Sequence, residues 1–274
     1  MGHEMRPERE AREAAATPLG VDFLSHVGTL LNLVQATEST EINHAANLWA
    51  DAISTGGLVH VFGSGHSSLP CADVFGRAGG LVPINWIVSE ALLPLRGLLS
   101  NTIERLSGFA AVLLDSEPVR PGDVLVVVSN SGRNAVPVEM AEGGRSRGMS
   151  VVGITSLAHE RTVASRAPSR RLLSDVANVV IDTHVPAGDA GLVVAGKGSV
   201  TARVGATSTI LAAAILQTIT VEAAARLAAR GMQPPVFMSA NIDGSEDHND
   251  VELRRMLHRP PTLLAADIHR LTID

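Results

Sequence analysis

The sequence predicts an α/β protein built as a three-layer αβα sandwich, a five-stranded parallel sheet with helices on both faces. Three observations carry that expectation. Short apolar, β-branched runs of strand length alternate along the chain with stretches of helical spacing, as in repeated βα units. Two of those runs end in glycine- and serine-rich turns that lead directly into helices. The composition is 45% apolar but only 3% aromatic, with no tyrosine, so 274 residues supply an aliphatic core of single-domain size.

Taken in order, residues 1–17 are charged and alanine-rich and read as a flexible leader. One domain is expected over 18–274, as N-terminal helices (18–56), a core (57–231) and a tail (232–274). Leu24, Val27, Leu31 and Val34 mark one helical stripe; Ile42, Ala45, Leu48, Trp49 and Ile53 mark a second, capped by Ser39 or Thr40. Strands are expected near 58–62, 82–87, 124–129, 150–155 and 179–183, the second pushed toward the sheet edge by Pro83. Between them fall a short helix near Asn101–Leu106, a strand or helix end at Ala110–Leu114, and a helix from Ala135 to Arg147 stopped by Gly148. Gly205–Arg230 reads as one long helix, apolar nearly all round, and so a core or subunit-interface element. The run GLVVAGKG at 191–198 nearly matches a nucleotide P-loop, but Gly198 stands where Ser or Thr must hold magnesium, so a nucleotidase is rejected.

Composition excludes several classes. A single cysteine, Cys71, leaves no disulfide framework and fits a reducing, cytoplasmic setting. A net charge of −6 argues against nucleic acid as a partner. No apolar run is expected to reach a membrane span of about 20 residues and no secretory h-region is read near the start, so no membrane partner is expected. No His, Cys, Asp or Glu grouping has metal-ligand spacing, and no cofactor is implied. Two helices ahead of the first strand offer more apolar surface than one sheet needs, which predicts a homo-oligomer, dimer or tetramer, with the site near a subunit interface.

The chemistry concentrates in the two turns. Gly63-Ser64-Gly65-His66-Ser67-Ser68 follows the first strand, and Ser129-Asn130-Ser131-Gly132-Arg133-Asn134 follows the third. Glycines let the backbone approach an anion, serines add hydroxyl donors, and a following helix points its positive end at the ligand. Two such turns at the carboxyl ends of parallel strands can converge on one phosphorylated ligand.

These paired turns resemble the sugar isomerase (SIS) domain family, near members related to N-acetylmuramic acid 6-phosphate etherase and phosphoheptose isomerase. The resemblance covers roughly residues 40–230 and implies a flavodoxin-like five-stranded parallel sheet that binds phosphosugars. It places the family's first turn on Gly63, Gly65 and Ser67, with His66 where many members carry Thr or Gly. Its second turn falls on Ser129, Asn130, Ser131, Gly132 and Asn134. Phosphate binding by Ser67, Ser129 and Ser131 is what it implies, with Asn134 donating from its amide in place of a hydroxyl. The family's acid–base residues do not carry over. A catalytic Glu position lands on Arg77, and Gly205–Arg230 contains no histidine.

Aldose–ketose isomerisation moves a proton between adjacent carbons and needs a general base. Glu90, just after the second strand, is the preferred base. Glu104 lies in a segment resembling the source of the etherase's second acid, with a helix-surface role as the plainer reading. His66, inside the first turn, and His184, after the fifth strand, complete the catalytic candidates. Asp243, Asp247 and His248 form a polar stretch that either covers a neighbouring subunit's site or is a solvated loop. The function expected is phosphosugar binding with isomerisation; an amino-sugar-phosphate lyase or etherase, opposed by Arg77, and a non-catalytic phosphosugar sensor are the alternatives.

Overall fold

Apolar residues alternate between the two faces of every central strand, so the sheet needs a helical layer on each side. Val59 and Val61, Val124 and Val126, and Val152 and Ile154 pack on one face; Phe62, Leu125, Val127 and Val151 pack on the other. The computed structural model describes residues 19–195 and 201–271. The expected leader and residues 272–274 of the tail lie outside them. The first face is covered by α1 (Leu19–Thr37), α2 (Ser39–Ser54), α3 (Ser68–Val74) and the long carboxyl-side helix; the second by α5 (Phe109–Asp115), α6 (Ala135–Ser146) and α8 (Leu173–Val176). Two short helices lie between these, α4 (Leu98–Ile103) and α7 (Leu157–Glu160).

The strands are β1 (Val59–Gly63), β2 (Ile84–Ile87), β3 (Val124–Val128), β4 (Ser150–Thr155) and β5 (Val179–Asp182), all parallel, in the order β2-β1-β3-β4-β5. This is the expected flavodoxin-like α/β sheet, with the Pro83 strand at an edge. Register sets Gly63 of β1 opposite Val128 of β3, so the two glycine-rich turns leave the sheet side by side.

Several expected details are corrected. Glu38, not Ser39 or Thr40, is the N-cap of α2; Ser39 is already helical and its hydroxyl donates to the Gln35 carbonyl at 2.6 Å. The short helix near 101–106 begins earlier, at Leu98, and Ala110–Leu114 is helix. A β-hairpin went unread: β6 (Leu192–Ala195) pairs antiparallel with β7 (Thr201–Val204), so the long helix starts only at Ser208. Lys197 and Gly198, on which the P-loop comparison turned, lie outside the described residues.

That long helix, α9 (Ser208–Ala229), also corrects the expectation that no apolar run reaches membrane-span length: it is 22 residues long and holds an 18-residue stretch of mean hydropathy 1.5. Length and composition alone do not decide its place. Leu211, Ile215, Leu216, Ile219, Ala223 and Leu227 are buried in the core, as an α/β sandwich requires of its inner helix. Its outer side leaves Val221 66% exposed.

The amino-terminal rim of the sheet is closed by a buried ionic cluster. Asp123, 1% exposed, accepts from the Leu58 and Arg120 amides at 3.0 and 2.8 Å, from His60 Nε2 at 3.0 Å, and from both terminal nitrogens of Arg259. Asn85 donates to His60 Nδ1 at 3.0 Å and accepts from the Thr262 amide at 2.7 Å, which completes the histidine and ties down the tail. Two helices finish that tail, α10 (Ser245–Arg254) and α11 (Ala265–Arg270).

Candidate functional site

The chain leaves β1 toward β2 on one side and returns to β3 on the other, which makes the β1–β3 boundary the switch point where open parallel sheets bind ligands. Both turns stand there. The first needs glycine at its base, because a Cβ on Gly63 would lie 2.1 Å from the Ser67 carbonyl oxygen. The second needs it at Gly132, where φ is +58° and a Cβ would lie 1.8 Å from Glu160 Oε1. Glu160, 3% exposed, is thus the floor of the second turn; burial pushes its carboxyl above the usual range, although Ser174 and Thr155 donate to it.

The predicted donors divide into two sets. The hydroxyls of Ser67 and Ser131 are half-buried and donate to no partner among the described residues. Asn130 Oδ1 is buried and also without a partner. Ser129 is buried, and its hydroxyl accepts from the Gly132 amide at 3.2 Å. Ser64 and Asn134 face elsewhere: both donate to Glu104, at 2.8 and 2.5 Å. Asn134's carbonyl in turn accepts from Arg166 at 2.8 Å, so its amide group is engaged inside the protein. His66 is exposed at the rim.

A small cleft opens between the turns and the start of α9, lined by Ser67, Asn130, Thr183, Ser208 and Thr209 among others. Thr207 is wholly buried beside it with an unpartnered hydroxyl. Asp189 holds the helix start by accepting from the amides of Thr207 and Ser208, both at 2.9 Å.

Of the four catalytic candidates, Glu104 is the one hydrogen-bonded to both turns. Burial raises its carboxyl above the ordinary range, against the Ser64 hydrogen bond and the positive charges of Arg105 and Arg166. Glu90 is exposed in the first turn of a 3₁₀ helix (Glu90–Leu92) beyond edge strand β2. His184 is drawn into a corner with the first helices: its Nε2 lies 3.0 Å from Glu38 and 2.8 Å from Thr37, its Nδ1 3.4 Å from Asp182. Arg77 pairs with Asp73 on the surface of α3. His248 bonds the Val236 carbonyl at 2.9 Å, whereas Asp243 and Asp247 are exposed. Sequence reasoning missed Glu160, Arg166, Thr207 and Asp189.

Comparison with known proteins agrees with this fold. A SIS domain model matches residues 22–156. A UPF0309 protein of Streptomyces coelicolor is 40% identical over 230 residues, covering 83% of this chain and 90% of that protein. A UPF0309 protein of Halalkalibacterium halodurans is 39% identical over 246 residues, covering 89% and 97%. Among solved structures, a phosphoheptose isomerase from Francisella tularensis superposes with a TM-score of 0.50 at 14% identity, over 76% of this chain and 98% of that one, which speaks to the fold.

Proposed function

The chain belongs to the UPF0309 family and carries a SIS domain, and from that premise we propose that it binds a phosphorylated sugar at the β1–β3 switch point and isomerises it between aldose and ketose. The observation that carries this reading is the convergence of two glycine-rich turns, with free Ser67 and Ser131 hydroxyls, on a carboxylate held between them. The phosphoryl group is received by these hydroxyls and the turn amides, which are neutral donors suited to a dianion.

Glu104 takes the part of general base in preference to Glu90. It is bound to both turns, burial raises its carboxyl above the ordinary range, and the Ser64 and Asn134 hydrogen bonds fix its direction. It removes the proton from the hydroxyl-bearing carbon next to the carbonyl, and the electron pair forms an enediolate with its charge on the former carbonyl oxygen; the neighbouring hydroxyl proton passes to that oxygen, and the abstracted proton is returned to the former carbonyl carbon as the new carbonyl forms. Elimination from an amino-sugar phosphate would need a second acid, and Arg77 at that family position is paired with Asp73. Exposed apolar residues on α1 and α9, Leu24 and Val221 among them, support a homo-oligomer.

A second reading is favoured by one observation: the cleft is lined by hydroxyls, an amide and apolar side chains, with no titratable group. That suits a phosphosugar-binding module without turnover. The test is a panel of pentose, hexose and amino-sugar phosphates, measured by calorimetry for binding and then for turnover. Ser131→Ala should weaken the preferred ligand by about 10- to 100-fold, the worth of a charge-assisted hydrogen bond. Absence of binding by every sugar phosphate, or an unchanged Kd in Ser131→Ala, sinks the reading; tight binding without turnover leaves the binding module.

A further inference from the structure

Three arginines gather on the flank of the second turn, with Glu104 the one acid that opposes them. Arg133 belongs to the turn itself. Arg166 is fastened to it twice, its amide donating to the Arg133 carbonyl at 2.7 Å and its guanidinium to Asn134 Oδ1 at 2.8 Å. Arg105 directly follows Glu104, whose carboxylate takes the amide of that same Asn134. Among the described residues none of the three forms an ion pair, and Arg133 Nε is buried without a partner.

We infer that the sugar phosphate bound here carries a second anionic group, a carboxylate or a second phosphate, and that Arg105, Arg133 and Arg166 receive it. The inference rests on the phosphosugar reading above. Its first support is the division of labour at the site: the phosphoryl group has neutral hydroxyls and amides, so the guanidinium forks are left for another anion. Their planar, bidentate geometry fits carboxylate and phosphate alike. The second support is local charge. Burial, then Arg133 and Arg105, depress the Arg166 guanidinium, with Glu104 as the one opposing acid. In a chain of net charge −6, three guanidinium groups beside one acid run against the overall balance. The third is the buried Nε of Arg133, a donor whose desolvation is uncompensated until an acceptor reaches it.

The experiment compares three ligands on the full wild-type chain by calorimetry: a hexose 6-phosphate, a hexose 1,6-bisphosphate and a 6-phospho-aldonate. One of the doubly anionic ligands should bind about 10- to 100-fold tighter than the monophosphate, and the winning arm identifies the second group as phosphate or carboxylate. Arg133→Gln should bring the two affinities together, whereas Ser131→Ala should weaken both and preserve their ratio. Should Arg133→Gln fail to fold, Arg105→Gln, at an exposed position, gives the same readout. Equal affinities in the wild type, or a preference that survives both arginine variants, overturns the inference. If the monophosphate binds and responds to Ser131→Ala while the second anion adds nothing, only this inference falls. If none of the three binds, the phosphosugar reading falls with it.

Discussion

Asp123 and Glu104 occupy opposite rims of one sheet, and their surroundings drive their carboxyl groups in opposite directions. Both pay for burial. At Asp123 that cost is outweighed by His60, by the Arg259 fork and by the Leu58 and Arg120 amides, which together hold the group far below the ordinary carboxylate range. Glu104 has only a hydroxyl and an amide as direct donors, with arginine charges at a remove, and there burial wins. Partner quality, more than depth, therefore separates a carboxylate that locks the fold from one able to exchange a proton. At the amino rim the ionic groups are matched to one another; at the carboxyl rim hydroxyls, a buried amide oxygen and three guanidinium groups are not.

That contrast can be broken from either side. The largest effect is expected at the carboxyl rim, where Glu104→Gln should lower turnover by about 10²–10⁴-fold while the sugar-phosphate Kd stays nearly constant. Steady-state rates beside calorimetry check it, and equal turnover in the variant would return the base to Glu90 or His66. At the amino rim Arg259→Leu leaves buried Asp123 without its arginine partner and should cost about 3–5 kcal/mol, read from urea unfolding. Ligand affinity should not follow; if it does, the two rims are not separable.

The smallest effect sharpens the comparison through pH. The depressed Asp123 contributes stability that is fully present above its unfolded value of 3.8 and is lost as pH falls below it toward the folded value. Glu104 and Glu160 act with the opposite sign. Their folded forms hold protons more tightly than the unfolded chain, so stability declines as pH rises from the unfolded value of 4.5 through their raised ones. Unfolding free energy against pH should therefore fall on the acid side through Asp123, and Glu104→Gln should flatten the decline above pH 4.5. A decline of unchanged slope in that variant would show that Glu104 is not raised.

The sheet and both turns were legible because their signals are local: five β-branched runs and two glycine–serine clusters within six residues each. What was not legible depended on partners far along the chain. Ser64 and Asn134 read as phosphate donors from their place in the motifs, yet they meet Glu104 across 40 and 30 residues. Nothing near Arg259 hinted at Asp123, 136 positions earlier. Ser39 looked like a cap because Ser caps helices more often than Glu, but α1 continues to Thr37 and leaves only Glu38 at the corner. The β6–β7 hairpin was hidden by a glycine-rich run that invited comparison with a phosphate loop.

The Asp123–Arg259 lock also has a consequence for how the protein is made. Asp123 opens the central strand, but its cationic partner is synthesised 136 residues later. A nascent chain that has already laid β1 against β3 must keep that aspartate hydrated or protonated, because enclosing it alone would bury an unpaired charge. The amino rim should thus stay open on the ribosome and close as one of the last steps of folding, long after the carboxyl rim has its turns in place. Contacts of such sequence separation are slow to form and expose apolar surface while they wait. Until residue 259 has been made, the amino rim is therefore expected to stay unfinished, with its apolar surface exposed.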